Sequence, residues 1–197
     1  TKVTLLKKTH PAISPMMGEL SAYIAAAPRK PLPNAVVEKT KHHILDTIAA
    51  MISGSRLPPA KKAIKYVQTL GGVKEACVVG SNLTTTAVNA ALANGMLAHA
   101  DETDDSHAPS QTHPGCGVVP AALAMAERER RNGTALLRAV ALGYDICCRL
   151  TQSLDATRFR EDGHSTHSFG AMFGAAAAAG ALAGLREGQV RHLLSFT

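Results

Sequence analysis

Residues 169–185 read FGAMFGAAAAAGALAGL, a run of small apolar residues without a charged side chain. A helix that is apolar all round has to be covered by other elements on every side. The run has about the minimum length for a membrane span, but its Ala and Gly content makes it only weakly hydrophobic, which favours a packed core helix. We therefore predict a chain in which other helices surround this one.

The rest of the chain has helical periodicity in almost every segment, punctuated by Pro and Gly. Helices are predicted over residues 16–28, 34–54, 58–70, 84–98, 118–131, 134–150, 169–183 and 187–195. The EACVVG run at 75–80 favours a short strand or an extended link. The predicted fold class is mainly α, with one compact, bundle-like helical domain over residues 1–197 and no sheet beyond a short ribbon.

Three segments are predicted to be irregular. Residues 1–15 read as a loose arm, Pro114–Gly115 as a turn ahead of a helix that starts near Pro120, and TQSLDATRFREDGHST at 151–166 as a loose connection. The chain begins without Met and ends at HLLSFT inside a helical pattern that has no C-cap. We therefore expect it to be a piece of a longer polypeptide.

The composition argues against a nucleic-acid partner. The formal net charge is +6, but Lys and Arg are scattered along the chain, and aromatic residues, which stack on bases, make up only 4%. The four cysteines are irregularly spaced, no CxxC pair is present and no apolar signal segment opens the chain. We expect reduced thiols, no structural zinc site, no membrane partner and a cytoplasmic protein.

Acidic and histidine side chains are concentrated in HADETDDSHAPSQTHPG at 99–115. In a chain with 15 acidic residues and nine histidines, this loop holds Asp101, Glu102, Asp104, Asp105, His99, His107 and His113. Three interpretations are open: a metal site, an acid–base site, or a capped and solvated turn. His99 also fits a helix C-terminal histidine that the helix dipole favours. Neither HExxH nor another fixed metal-ligand spacing is present, so we predict no metal.

A second polar loop, EDGHSTHSFG at 161–170, precedes the apolar helix. Backbone N–H groups at the helix start, with the hydroxyls of Ser165, Thr166 and Ser168, would suit a carboxylate or another anion. His164 and His167 add imidazoles, which transfer protons near neutral pH. If the two loops meet across a cleft, they provide a general acid–base site.

Several segments, in order along the chain, resemble the MmgE/PrpD family of 2-methylcitrate dehydratases, cis-aconitate decarboxylases and iminodisuccinate epimerases. LSAYIAA resembles the family's opening helix, and HHILDTIAAMISG resembles its next apolar segment. NGMLAHADETDDSHAPSQTHPGCGVVPAALAMAE resembles the family signature around its HPG element. GYDICCRL resembles the family's GYE element, and GHSTHSFGAMFGAAAAAGALAGL resembles its Gly-His element with the Ala-rich helix that follows.

The resemblance implies an all-helical first domain, which this chain carries, and a smaller α+β lid domain with the family's lysines, which it lacks. It also implies a homodimer and a site for small di- or tricarboxylates that uses neither a metal nor an organic cofactor. His113 and His164 match the family's active-site histidines. Glu102 stands where many members have Asp. Asp104, Asp105 and Ser106 match the family's Asp-Asp-Thr element, which comes shortly after that position.

We predict a lyase or isomerase that removes a proton next to a carboxylate, with dehydration as the first choice and decarboxylation or epimerisation as the others. His113 and His164 would transfer protons or hydrogen-bond a substrate carboxylate. Glu102 and Asp105 would orient or tune those imidazoles. The predicted substrate-binding residues are Asp104, Ser106, Ser165 and Thr166. Two rivals stay open: a metal-dependent hydrolase that uses the His/Asp loop, and a non-catalytic fragment or subunit.

Overall fold

A computed structural model describes residues 13–197. Its α-helices and β-strands, in chain order, are α1 Pro15–Ala26, α2 Asn34–Gly54, α3 Pro58–Leu70, β1 Ala76–Cys77, β2 Thr84–Thr85, α4 Ala87–His99, α5 Pro114–Arg128, α6 Gly133–Ser153, α7 Ala156–Glu161, α8 Thr166–Leu182 and α9 Glu187–Phe196. The two strands form an antiparallel pair, with Ala76 opposite Thr85 and Cys77 opposite Thr84. The prediction of a mainly α fold with no more than a short ribbon is confirmed over the described residues.

Helix α8, the apolar run of the sequence, packs against α5 and α6. A Cβ atom added to Gly174 would lie 2.5 Å from the carbonyl oxygen of Gly143 in α6 and 2.9 Å from the Cβ of Cys147. A Cβ added to Gly143 would lie 2.9 Å from the carbonyl oxygen of Gly174 and 3.2 Å from the Cβ of Ala178. The two helices therefore approach backbone to backbone, and glycine is required at the crossing.

Neighbouring residues of α8 enter two different apolar clusters. Ala178 belongs to the larger cluster, which includes Leu97 from α4 and Val118 from α5. Ala177 belongs to a smaller cluster whose other members come from α1, α6 and α9: Ile24, Leu142, Ile146, Val190 and Leu194. The helix is thus covered on more than one face, as its composition predicts. Between residues 13 and 197, no helix combines the length and the apolar character that a bilayer span needs.

The start of α5 corrects one sequence prediction. The helix begins at Pro114, so Pro114 and Gly115 form its first turn rather than a turn before it, and Pro120 lies inside the helix. Proline suits the first helical position because no N–H is needed there. The carboxylate of Asp105 accepts a hydrogen bond from the N–H of Gly115 at 2.8 Å. This tertiary contact, which local sequence does not reveal, holds the first turn in place.

The connection between α6 and α8 is more regular than predicted. Helix α6 continues to Ser153, and α7 occupies Ala156–Glu161. The side chain of Asp155 accepts a hydrogen bond from the N–H of Arg158 at 3.3 Å and caps α7. The loose arm predicted at residues 1–15 lies largely outside the described residues, and Pro15 already belongs to α1.

Candidate active site

The loop between α4 and α5 is held by its own hydrogen bonds. Glu102 and Gln111 adopt left-handed backbone conformations, with φ of 59° and 51°, which turn the chain sharply. The backbone N–H of His107 donates to the carbonyl of Thr112 at 2.9 Å. The Nδ1 atom of His107 lies 2.7 Å from the Oγ of Ser110. His107, a metal-ligand candidate in the sequence, is therefore engaged within the loop.

Asp104 lies between two imidazoles. Its side chain is 0% exposed, and its carboxylate oxygens lie 3.0 and 3.2 Å from the Nδ1 of His99. A carboxylate oxygen of Asp104 is also 3.5 Å from the Nδ1 of His113, a buried atom that has no hydrogen-bond partner among the described residues. A buried carboxylate requires a compensating charge, and its hydrogen bond raises the pKa of His99. Asp104 and His99 therefore form an ion pair beside His113.

The start of α8 meets this cluster. The ring centroids of His113 and His167 are 4.6 Å apart, with the ring planes at 63°. The hydroxyl of Thr166, a buried residue, donates a hydrogen bond to the carbonyl of Gln111 at 2.7 Å. Gln111 lies two residues before His113, and Thr166 lies one residue before His167. This bond therefore ties together the backbones that carry the two histidines, and the two polar loops are in contact.

His164 has a different neighbour. Its ring stacks on Phe159 of α7, with the centroids 4.7 Å apart, and its backbone N–H donates to the carbonyl of Phe159 at 3.1 Å. The residue is exposed. The next residue, Ser165, caps α8 by accepting a hydrogen bond from the N–H of Ser168 at 3.3 Å. The catalytic role of His164 and the substrate-binding role of Ser165 stay predictions.

Asp105 joins three helices. Its Oδ1 accepts a hydrogen bond from the N–H of Gly115 in α5 at 2.8 Å. Its Oδ2 accepts one from the hydroxyl of Tyr144 in α6 at 2.7 Å and lies 2.8 Å from the Nδ1 of His43 in α2. Burial, and then the charge of Asp105, raises the pKa of Tyr144 well above its usual range. The carboxylate thus connects α2, α5 and α6.

The two neighbouring aspartates contact different imidazoles. From the sequence, Asp104 is predicted to bind substrate and Asp105 to orient or tune the imidazoles of His113 and His164. In the structure, the carboxylate beside His113 belongs to Asp104, whereas Asp105 contacts His43. A buried carboxylate that faces imidazoles would repel a substrate carboxylate. The roles predicted for the two residues, substrate binding for Asp104 and tuning of the active-site imidazoles for Asp105, stay predictions.

The remaining acidic residues and Ser106 lie at the surface. The side chain of Glu102 is 76% exposed, and its carboxylate is 3.6 Å from the Nε2 of His99, so it borders the cluster from outside. Ser106 is exposed. Asp101 accepts a hydrogen bond from the hydroxyl of Ser53 at 2.5 Å, which lowers the pKa of Asp101. Asp101 therefore links the loop to the end of α2.

Three side chains could hold a metal ion. One ligand atom each from His99, Asp104 and His113 lies within 4.8 Å of the others, and two imidazoles with one carboxylate suit Zn²⁺, Mn²⁺ or Fe²⁺. Burial raises the pKa of the neighbouring Cys116 thiol to about 12. The thiol of Cys116 is therefore protonated at neutral pH, and burial does not activate it as a nucleophile.

Sequence reasoning missed the partners that complete the cluster. His99 was interpretable as a helix-end histidine, although its position at the last residue of α4 sends it straight into the acidic loop. His167 was visible as a second histidine of its loop, without a sign that it would face His113. His43 and Tyr144 gave no local signal, because their link to Asp105 exists only after α2 and α6 have packed.

Comparison with known proteins identifies the family. Residues 18–197 match the MmgE/PrpD N-terminal domain, which is most of the chain. The chain belongs to the MmgE/PrpD family. The predicted resemblance is confirmed, and the helical structure agrees with the MmgE/PrpD assignment.

Curated relatives of this MmgE/PrpD chain are of lyase type. It is 29% identical over 175 residues to a cis-aconitate decarboxylase-like protein of Aspergillus oryzae, covering 85% of this chain and 36% of the relative. It is 27% identical over 169 residues to a cis-aconitate decarboxylase of Aspergillus terreus, covering 83% of this chain and 34% of that protein. The chain thus spans about a third of the length of the curated relatives it matches.

Proposed function

We propose that this protein is a lyase that acts on a small di- or tricarboxylate, beginning with removal of a proton next to a carboxylate. The observation that carries the proposal is the buried carboxylate of Asp104, 3.5 Å from the Nδ1 of His113. A negative charge beside an imidazole helps to orient the ring, and an oriented imidazole can transfer a proton to or from a substrate. Family membership supports the same class of chemistry.

The charges around the cluster suit an anionic substrate. The side chain of His99, whose pKa is raised by Asp104, is partly exposed, and the first N–H groups of α8 lie beside His167 in the first turn of that helix. Both would attract a carboxylate. In the proposed dehydration, the carbon next to the carboxylate loses a proton to a base, and the neighbouring carbon loses hydroxide, which leaves as water after taking a proton from His113. The resemblance gives the role of base to His164.

The remaining features of the proposal come from the family resemblance. Glu102 and Ser106 would border the substrate, and Ser165 would bind one of its carboxylates. We propose a cytoplasmic homodimer in which a lid domain and its lysines complete the site.

The proposal is tested with the protein at its full natural length and a panel that includes cis-aconitate, citrate and 2-methylcitrate. Proton NMR follows water loss or addition, and released carbon dioxide reports decarboxylation. We expect turnover of at least one tricarboxylate, lowered by about 10²–10⁴-fold in His113→Gln. His192→Gln, which changes an exposed histidine of α9, is the control. Absence of turnover across the panel, or full activity of His113→Gln, would contradict the proposal.

A second candidate is a metal-dependent hydrolase, favoured by the three ligand atoms within 4.8 Å. In that case His99, Asp104 and His113 would bind the ion, which would activate a water molecule. Assays for ester and amide hydrolysis after addition of Zn²⁺, Mn²⁺ or Fe²⁺ separate the two candidates. Hydrolysis that depends on the added ion, without conversion of tricarboxylates, would favour this second function.

A further inference from the structure

A cavity lies at the far end of α8 from the histidine cluster. The helix begins beside that cluster, and its 17 residues extend about 25 Å. The cavity has a volume of about 420 Å³ and is bordered by the turn Ala27–Arg29 after α1, the start of α6 and the end of α8. Of the described residues that line it, Arg131 and Arg138 are charged, and none is acidic.

Each of these arginines is held by a backbone carbonyl. The Nε of Arg131 donates to the carbonyl of Leu182 at 2.7 Å, and the Nη1 of Arg138 donates to the carbonyl of Pro28 at 3.1 Å. A carbonyl positions a guanidinium without cancelling its charge, and a guanidinium has five N–H donors. Both arginines are therefore fixed in place and keep donors for a further partner.

The positive charge at the cavity has no acidic counterpart among the described residues. Within residues 13–197, the arginines that form ion pairs are Arg128, Arg149 and Arg158. The two arginines of the cavity are not among them, and residues 1–12 contain neither Asp nor Glu. Arg138 is half-buried, and a charge that is partly removed from water requires a compensating one. The cavity therefore favours an anion.

The start of α6 contributes little to this preference. The side chain of Asn132 already caps the helix, because its Oδ1 accepts a hydrogen bond from the N–H of Ala135 at 3.0 Å. The two guanidinium groups are therefore the features that select the ligand.

The arrangement of the two arginines fits a ligand with more than one anionic group. One arginine is anchored at the end of α8 and the other at the turn after α1, so an anion that binds only one of them leaves the other charge uncompensated. Guanidinium groups bind phosphate oxygens in pairs, which makes a polyphosphate a suitable partner for both. The volume of about 420 Å³ is that of a site for a small organic molecule, and Ala135, Ala181 and Leu182 add apolar walls.

We propose that this cavity is a binding site for an organic polyphosphate. Arg131 and Arg138 would each bind a phosphate group, and the apolar walls would contact the organic part. The inference goes beyond the proposed function and does not depend on it, because the residues that line the cavity are separate from those of the histidine cluster.

The test is isothermal titration calorimetry with the protein at its full natural length, in buffer without magnesium, with ADP and inorganic pyrophosphate as probes. We expect both probes to bind, ADP more tightly because its nucleoside contacts the apolar walls. Arg131→Gln and Arg138→Gln should each weaken the binding of ADP by about tenfold or more, because each removes charge-assisted hydrogen bonds to phosphate. Arg149→Gln is the matched control, since Arg149 is an exposed arginine of the same helix that pairs with Asp145 at 3.1 Å.

Two further measurements separate binding from folding. Arg131→Lys and Arg138→Lys keep the charge but lose the planar fork, so they should retain the fold and still bind ADP less tightly than the wild type. ADP should raise the melting temperature of the wild type and of Arg149→Gln, and should not raise that of the double variant Arg131→Lys/Arg138→Lys to the same extent.

Three results would overturn the inference. The first is a wild type that binds neither probe, which would mean that the charge of the two arginines is compensated in the full-length protein. The second is an affinity for ADP that is unchanged in both Gln variants. The third is displacement of ADP by tricarballylate, an unreactive tricarboxylate, since a site that accepts it does not select phosphate. Pyrophosphate that binds as tightly as ADP would contradict the contact between the organic part and the apolar walls.

Discussion

At the scale of single residues, the charge of Asp104 controls the ionisation of its neighbours. Asp104→Asn keeps the size of the side chain and removes its charge. We expect the pKa of His99 to fall, because the hydrogen bond from His99 to Asp104 is the largest cause that raises it. NMR titration of the imidazole signals measures this change. Glu102→Gln is the control, since that carboxylate is a weaker and more exposed neighbour at 3.6 Å.

The raised pKa of His99 also predicts how stability depends on pH. The folded pKa lies above the unfolded value, so the ion pair with Asp104 stabilises the fold fully below about pH 6.5 and ceases to do so as the pH rises through the folded pKa. His99→Gln should therefore cost most below about pH 6.5 and less in alkaline solution. Because His99 is 44% exposed, this pH-dependent part should stay below about 1 kcal/mol.

Urea unfolding of the wild type and His99→Gln across the pH range measures this difference. His42→Gln is the matched control, because His42 is an exposed histidine of α2. A difference in unfolding free energy that grows with rising pH would contradict the predicted ion pair.

Asp105 should matter for stability, because it bonds to three helices at once and its side chain is only 13% exposed. Asp105→Ala leaves the hydroxyl of Tyr144 and the N–H of Gly115 without their acceptor. We expect a loss of about 2–4 kcal/mol in unfolding free energy, measured by chemical denaturation. Asp162→Ala, an exposed acidic residue after α7, should cost far less. Equal losses in the two variants would show that Asp105 does not hold the helices together.

At the scale of elements, the start of α8 is positioned by one side-chain bond. Thr166→Val removes the hydrogen bond to the carbonyl of Gln111 and retains the shape of the side chain. We expect a loss of about 1–3 kcal/mol, because the carbonyl of Gln111 loses its donor, and a lower kcat, because the start of α8 is held less firmly against the loop that carries His113.

Ser165→Ala provides the matched comparison for the start of α8. It removes the N-terminal cap of the helix, so it should cost about 0.5–2 kcal/mol but leave the tie to the other loop intact. Unfolding and kcat are measured for both variants. If Ser165→Ala lowers kcat as much as Thr166→Val, the tie does not position the site.

The crossing of α8 and α6 gives a second prediction at this scale. Gly174→Leu should cost roughly 1–3 kcal/mol or more, because a Cβ alone would lie 2.5 Å from the carbonyl oxygen of Gly143. Gly18→Ala in α1 is the control, since nothing lies within 4 Å of its added Cβ, and alanine there should stabilise the helix by up to about 1 kcal/mol. Thermal unfolding measures both. An unchanged stability in Gly174→Leu would place α8 at the periphery.

At the scale of the whole molecule, the chemistry is predicted to proceed without a bound metal. The histidines and Asp104 are engaged with one another, and an imidazolium at His99 competes with a metal ion for the same carboxylate. We expect less than stoichiometric Zn, Fe or Mn by elemental analysis and full activity after treatment with a chelator. One equivalent of metal that is lost together with activity would contradict this prediction and favour the hydrolase.

The sequence by itself determined most of the helices and the family. The apolar run at 169–185 required burial on all sides. Pro, Gly and the capping residues predicted the ends of α2, α3, α8 and α9 to within a few residues of those observed. These features act over one or two turns, so a linear pattern contains them. The grouping of carboxylates and imidazoles at 99–115 likewise indicated where chemistry could occur, and the motifs around it indicated the MmgE/PrpD family.

Only the tertiary structure decided which of those side chains meet. It placed Asp104, rather than Asp105, beside His113, and it brought His167 to the same imidazole. It also started α5 at Pro114, where the carboxylate of Asp105 binds the first turn. Each of these outcomes depends on contacts between helices that are distant in sequence, and a small rotation of a helix or loop exchanges one neighbouring side chain for the next. Residue type and spacing carry no information about that rotation, which packing alone determines.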